Sequence, residues 1–430
     1  LALVMLTPAV RSQAGPTNSG FANRGTALSA VSINGGPGVF NNYVLDGGNN
    51  NQAQQSDINV QPAVDAVEEF KVQHNTMSAE YGFTAGGVVN VVTKSGTNQL
   101  RGSLYHFLRN DKLDARNAFA NARAPFRYNQ FGGALGGPVL VPRTYNGRNR
   151  SFFFANYEEW RYRRYANPIF RVPTAAERNG DFSELRDVRG TLIPVYDPLT
   201  TRANPSGSGF LRDPFQGNRI PRDRMDPVSL NVLPYYPLPN RTPTDPYTNA
   251  NNFLSSIDET QGMRQLTTKL DHRVSDHNSL FGRYTYYRHR TDGGVGGSPY
   301  PDPLVRQRID SFETHNFVLN DTHTISPSTI NEFRAGLARS YFPFRSRSFG
   351  ENIPEKLGLP PSVPRDVFPA ISNGMQSFGT QYAGLRGTLI LQVFDMLTMT
   401  RGSHTVKAGG EWRKVQANNL NKTNSSGVFN

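Results

Sequence analysis

Residues 64–109 read VDAVEEFKVQHNTMSAEYGFTAGGVVNVVTKSGTNQLRGSLYHFLR, and their pattern changes once, at the turn from Lys94 to Asn98. Ahead of the turn, Val64, Val67 and Phe70 recur at helical spacing behind Pro62, which predicts a short helix. Gly86 and Gly87 then open a compact apolar run to Thr93, which predicts a buried strand. Past the turn the period becomes two. Ser103, Tyr105 and Phe107 alternate with Leu104, His106 and Leu108, as in a strand whose two faces meet different surroundings. A small α+β unit, assigned to residues 1–97, hands over to a larger β region, 98–430.

The alternation recurs in nine strand candidates. The first three run from about Gln99 to Arg109, Tyr128 to Val141 and Arg150 to Arg164. The third places Phe152, Phe154, Trp160 and Tyr162 on one face, assigned to lipid, and Glu159, Arg161 and Arg163 on the other, assigned to an interior. In the fourth, Leu266, Thr268, Leu270 and Val274 oppose Gln265, Thr267, Lys269, Asp271 and Arg273. A tight Ser275-Asp276-His277-Asn278 turn leads to the fifth, where Leu280, Tyr284 and Tyr286 oppose Arg283, Thr285 and Tyr287. The sixth ends at Thr324, and the seventh sets Phe333, Ala335 and Leu337 against Glu332 and Arg334. The eighth runs near Thr388 to Thr400, and the ninth sets Val406, Ala408 and Trp412 against Lys407, Glu411 and Arg413. Short turns alternate with long connections at about 110–127, 164–261, 291–310 and 343–385. That asymmetry is expected of an oriented transmembrane antiparallel β-barrel, mainly β overall.

Within residues 42–157, NYVLDGGN (42–49), VDAVEEFKVQ, SAEYG, AGGVVNVVTKSGTN, LRNDKLDARN, FGGALGGP (131–138) and the run Phe152 to Tyr157 follow one another in order. This series resembles TonB-dependent outer-membrane receptors of the Oar-like branch. The resemblance implies a plug domain followed by a barrel of about 22 strands, of which nine are present here. It also implies a Gram-negative outer membrane, energy from the TonB–ExbB–ExbD complex, and a ligand that is a siderophore, oligosaccharide, peptide or protein. On this reading the chain is a fragment that opens inside the plug at LALVMLTPAVRSQAG and stops before its barrel closes.

Composition alone points elsewhere. Hydrophobic residues are 37% of 430, and no run approaches the ~18 apolar residues of a membrane helix. A membrane barrel escapes that test, because only every second residue need be apolar, and the 18 Tyr and 27 Phe suit its aromatic girdles. The net charge of +12 is carried mostly by singly scattered arginines. It suits an outer surface or lumen facing lipopolysaccharide and other outer-membrane lipid better than nucleic acid. The absence of cysteine excludes disulfides and thiolate chemistry. Glu158 and Glu159 are neighbours on a strand and point to opposite faces, so they do not form a catalytic pair. No HExxH, GxSxG or P-loop occurs, and neither an enzymatic activity nor a cofactor or metal is expected. The pairs Asp271-His272 and Asp276-His277 read as polar groups flanking a turn.

Two groups remain as candidate ligand contacts. Strand parity turns Lys269, Arg273, Arg283, Arg334 and Arg413 inward, predicting a basic lumen suited to anionic or polyhydroxylated ligands. Asn41, Asn42, Asn49 and Asn50, with Asn51, either present amides to a ligand or serve turn chemistry. The resulting expectation is a substrate-gated transporter; the alternative is a surface adhesin or protein-binding receptor that uses the long loops without transport.

Overall fold

The computed structural model describes residues 4, 7–12, 31–37, 40–53, 58–74, 77–81, 84–116, 118, 123, 125–293, 308–372, 379, 383–422 and 425–429. A short antiparallel pair, β1 (Val10–Ser12) and β2 (Val31–Ile33), precedes an inner sheet of four strands. These are β3 (Asn42–Leu45), β4 (Gly48–Asn49), β5 (Val67–Gln73) and β6 (Val88–Thr93), in the order β4-β3-β6-β5. Strands β3 and β6 run parallel, and both outer pairings are antiparallel. Asp46 and Gly47, with φ of 48° and 77°, form the two-residue turn between β3 and β4. Positive φ at both positions fits the right-handed twist of a hairpin, and Asp-Gly accepts it at low cost.

The helix expected over Val64 to Phe70 is not there. A single 3-10 turn, Val64–Ala66, is followed directly by strand β5. The pairing of β5 with β6 slips between Val67 and Glu69, and this bulge absorbs one residue. Val67, Phe70 and Val72 therefore all pack against the same core. A three-residue spacing that imitates a helix is here a bulged strand.

The outer sheet has nine strands, each hydrogen-bonded to its sequence neighbours: β7 (Arg101–Asn110), β8 (Phe126–Pro138), β9 (Ser151–Ala166), β10 (Ile257–Arg273), β11 (Asn278–Asp292), β12 (Arg308–Ser326), β13 (Thr329–Ser346), β14 (Ala383–Arg401) and β15 (His404–Asn421). All pairings are antiparallel, and β7 and β15 do not pair with each other. The nine expected strands are all present. Long connections leave one end of the sheet and short turns the other, although parts of the 110–127, 291–310 and 343–385 connections lie outside the described residues.

Register puts one row across the wall at the same height: Phe154, Lys269, Arg283, Val318, Gly336, Gln392 and Arg413. This row faces the inner sheet. Met263, Tyr287, Phe312, Phe342 and Phe344 of the wall share one core with Val31, Ile33, Tyr43, Leu45, Val89 and Val91. On the other side, Leu266, Leu270, Phe317, Val393 and Trp412 are exposed. The face assignment therefore holds for β10, β11, β13 and β15, and is reversed for β9. Phe154 and Tyr162 are buried inward, while Arg161 and Arg163 point outward. Two facts explain the reversal. The interior is filled by an apolar-cored unit, so aromatic residues are stable inside. Strand β9 also has 16 residues where a bilayer needs only about ten, so its upper arginines project beyond lipid.

The connection between β9 and β10 is folded. It carries a helix, Ala175–Arg178, closed by a capping box between Thr174 and Glu177, and a second helix, Pro227–Val232, capped by Asp226. Phe170, Val172, Val232, Tyr236 and Phe253 from this connection bury against Ile353, Leu357 and Phe368 from the β13–β14 connection. Asn252 holds Val172 through both backbone groups at 2.8 and 2.9 Å, and the Asn231 amide donates to the Leu357 carbonyl at 3.1 Å. Two loops distant in sequence thus make one cap with a common core. Replacing the fully buried Phe368 by Ala should cost the cap about 3–5 kcal/mol. Added protease should then cut residues 164–261 much faster while the heat resistance of the outer sheet is unchanged; an unchanged cleavage rate would contradict the shared core.

Candidate functional site

The tip of the β3–β4 hairpin meets the wall. The Asp46 carboxylate receives the Thr93 backbone N–H and hydroxyl, both at 2.8 Å, which fixes it within the inner sheet. Its oxygens also lie 2.9 Å from Arg283 Nε and 3.6 Å from Lys269 Nζ, on two adjacent wall strands. Arg283 is wholly buried and further donates to the Leu45 carbonyl at 3.1 Å and to Asn316 Oδ1 at 2.7 Å. Lys269 donates to the Thr93 carbonyl at 3.2 Å. One residue on, Arg334 donates to the Gly47 carbonyl at 3.0 Å, and the Asn49 N–H donates to Gln392 Oε1 at 2.9 Å. A side chain at position 47 would overlap the Arg334 guanidinium, and one at position 48 would overlap Val318. The Asp46-Gly47-Gly48 tip is therefore shaped and charged to seat on four consecutive wall strands, β11 to β14, with Lys269 of β10 at its side.

The inward cations differ from the expected basic lumen. Those that are buried or half-buried have a carboxylate beside them: Lys269 and Arg283 share Asp46, Arg334 pairs with Glu332, and Arg413 pairs with Glu411 at 2.6 Å, whereas Arg273, expected inward, is exposed at the hairpin turn and pairs with Asp276 at 3.1 Å. Burying a cation without such a partner is costly, so inward Arg and Lys come with their counter-ions. Glu158 is likewise inward and accepts from Tyr105 at 2.6 Å and Gln130 at 2.9 Å, whereas Glu159 is outward against Arg161.

The asparagines serve the inner sheet. Asn41 donates to the Val31 carbonyl and accepts from Gly87 N–H, and Asn50 closes on both backbone groups of Val60. Asn51 bridges the Asn41 carbonyl and the Tyr43 N–H. Asn49 Oδ1 accepts from Asn51 N–H, and its carbonyl accepts from Asn316. Two cavities lie between the inner sheet and the wall. The larger, about 1130 Å³, is lined by Asn41, Asn49, Glu80, Phe394, Lys407 and Arg413; the smaller, about 380 Å³, reaches Asn42, Lys269 and Arg334. Of the candidates, Arg283, Asn50 and Arg273 line neither. At the hairpin turn, His272 Nδ1 lies 2.6 Å from Ser151 Oγ and the Ser95 hydroxyl donates to Asp271 at 3.2 Å, and among the described residues no group of three potential metal ligands forms.

Residues 92–430 match the family model described as an outer membrane beta barrel domain. The chain belongs to this family. It is an outer-membrane protein of the Gram-negative type. It is 28% identical over 136 residues to the TonB-dependent transporter Oar of Myxococcus xanthus, covering 30% of this chain and 12% of that protein. The outer membrane transporter YddB of Escherichia coli matches with a TM-score of 0.56 at 10% identity, over 96% of this chain and 45% of that one. The ferric enterobactin receptor of Pseudomonas aeruginosa covers 97% of this chain and 46% of that one, at 11% identity and a TM-score of 0.49. The chain thus spans less than half the length of these relatives.

Within this outer-membrane fold the residue that sequence reasoning missed is Asp46. In the sequence it stands only within the NYVLDGGN stretch, and nothing local marks its carboxylate as the partner of residues more than two hundred positions away. Removing it with Asp46→Ala should strand Arg283 in the interior, at a cost of about 3–5 kcal/mol to docking of the inner sheet. Hydrogen exchange at Thr93 and Leu45 should speed up accordingly. A cycle with Arg283→Ala should give a coupling on the order of 1 kcal/mol or more, and strictly additive losses would exclude a direct pair.

Proposed function

We propose that the protein is a TonB-dependent outer-membrane transporter in which the inner sheet acts as the plug, the two-loop cap meets the ligand, and the TonB–ExbB–ExbD complex supplies energy. The observation that carries this reading is the seating of the Asp46-Gly47 tip on the inward face of an outer-membrane sheet. That contact holds the inner sheet to the wall through a few ion pairs and hydrogen bonds beside a shared apolar core, and an applied force can release the polar bonds one after another. The similarity to transporter Oar supports the same assignment.

On this reading the ligand route is the larger cavity, where Asn41, Asn49 and Arg413 are its contacts, with Asn42, Lys269 and Arg334 along the smaller one. Because Arg334 and Arg413 each lie beside a carboxylate and Lys269 and Arg283 share one, these positions give an anionic cargo less preference than a bare basic lumen would. A protein-binding receptor without transport is the second reading. The folded cap favours it, since Leu199 and Phe210 stand 79% and 76% exposed on its surface. Accumulation of a labelled ligand by cells carrying the complete protein separates the two. Transport predicts uptake that vanishes when the proton gradient is collapsed, while surface binding persists; binding and retention indifferent to the gradient would leave the receptor reading in place.

A further inference from the structure

Above the exposed aromatic and aliphatic band, the outward face of β8 to β11 changes character within one step of the pleat. The last outward row of the band holds Tyr157, Leu266 and Tyr286. The next two rows hold Glu159, Arg264 and Arg288, then Arg161, Gly262 and Arg290, each set in register. Two residues of strand advance about 7 Å, so these guanidinium groups begin immediately past the tyrosines. Gly262 lies between Arg161 and Arg290, and a Cβ there would meet nothing closer than the Trp160 carbonyl at 3.6 Å. The glycine is thus the floor of an open dimple walled by arginine. It belongs to a concavity of about 460 Å³ lined by six arginines and two carboxylates.

The local counter-charges do not cancel this patch. Glu159 binds Arg161 at 2.7 Å, but Asp292 is held by Arg347 at 2.7 Å and is 3.8 Å from Arg290. At the rim, Asp258 lies 3.3 Å from Arg163 and Glu313 lies 4.0 Å from Arg288. Such surface pairs contribute about 0–1 kcal/mol each, whereas a phosphate offers several acceptor oxygens to planar guanidinium forks at once. Basic groups lying just beyond an aromatic girdle are placed at the depth of lipid headgroups.

We propose that the dimple around Gly262 is a binding site for a phosphorylated lipid headgroup of the outer leaflet, gripped by Arg161, Arg264, Arg288 and Arg290. The site lies on the lipid side of the wall and is independent of whether the protein transports anything. Its acyl chains would lie down the Tyr157, Leu266 and Leu270 face.

The test uses the complete protein in detergent, reloaded with a phosphorylated glycolipid or with the same glycolipid after enzymatic dephosphorylation, and reads bound lipid by native mass spectrometry. The quadruple variant R161Q/R264Q/R288Q/R290Q should lose phosphorylated lipid by about tenfold or more, while the dephosphorylated form binds wild type and variant equally. R101Q, at the other end of the wall, should retain wild-type binding. If the quadruple variant fails the heat-modifiability check for a folded barrel, the pair R161Q/R290Q carries the same expectation. Equal retention of phosphorylated lipid by wild type and folded variant overturns the site. Displacement of the lipid by inorganic phosphate at matched concentration also overturns it, in favour of a free-anion site.

Discussion

Backbone pairing in a medium without water constrains everything else in this protein. A strand in lipid has no solvent to satisfy its amides, so each must bond to a neighbour, and the nine-strand meander is the simplest way to do that. Once the register is set, the pleat divides every strand between two environments, and a shift of one residue would exchange them. The row from Phe154 to Arg413 shows the result: seven strands contribute one residue each to a single inward contour. The hairpin tip at Asp46 can seat on several strands only because that contour is held in common.

Charge follows from the same constraint. Inward Arg and Lys lie in a poorly hydrated seam, where a lone cation is too costly to keep. Asp46, Glu332 and Glu411 accompany them for that reason, and the interior holds paired charges around two cavities where parity alone suggested a basic channel. Outward, above the hydrocarbon, the constraint lifts. There Arg127, Arg163, Arg264 and Arg290 outnumber their counter-ions, because water and headgroups solvate them.

Strand count, chain direction and the alternation of short turns with long loops were legible in the sequence, since each depends on local periodicity and turn residues. The faces of β10 and β11 were legible for the same reason. The face of β9 was not, because hydrophobicity reports on burial and cannot tell a lipid neighbour from an apolar-cored plug. The helix expected at Val64 to Phe70 failed because a bulge converts a spacing of three into one face of a strand. The asparagines were half legible: turn chemistry was weighed as an alternative, but their partners at Val31, Val60 and Gly87 are set by tertiary folding. The Asp46 clasp and the common core of the two loops were beyond reach, as both join segments that only the finished topology brings together.

The shared core of the cap also bears on how the molecule is made. Phe170 and Val232 emerge from the ribosome well before Phe368, and the wall strands β10 to β13 lie between them. Until those strands have paired, Phe170, Val232 and Phe253 lack Ile353, Leu357 and Phe368, and the core of the first loop is incomplete. Closure of so long a loop is entropically slow. The shared core thus closes only once both connections are in place, so an intermediate in which β10 to β13 are not yet paired would leave part of the first loop's apolar surface uncovered.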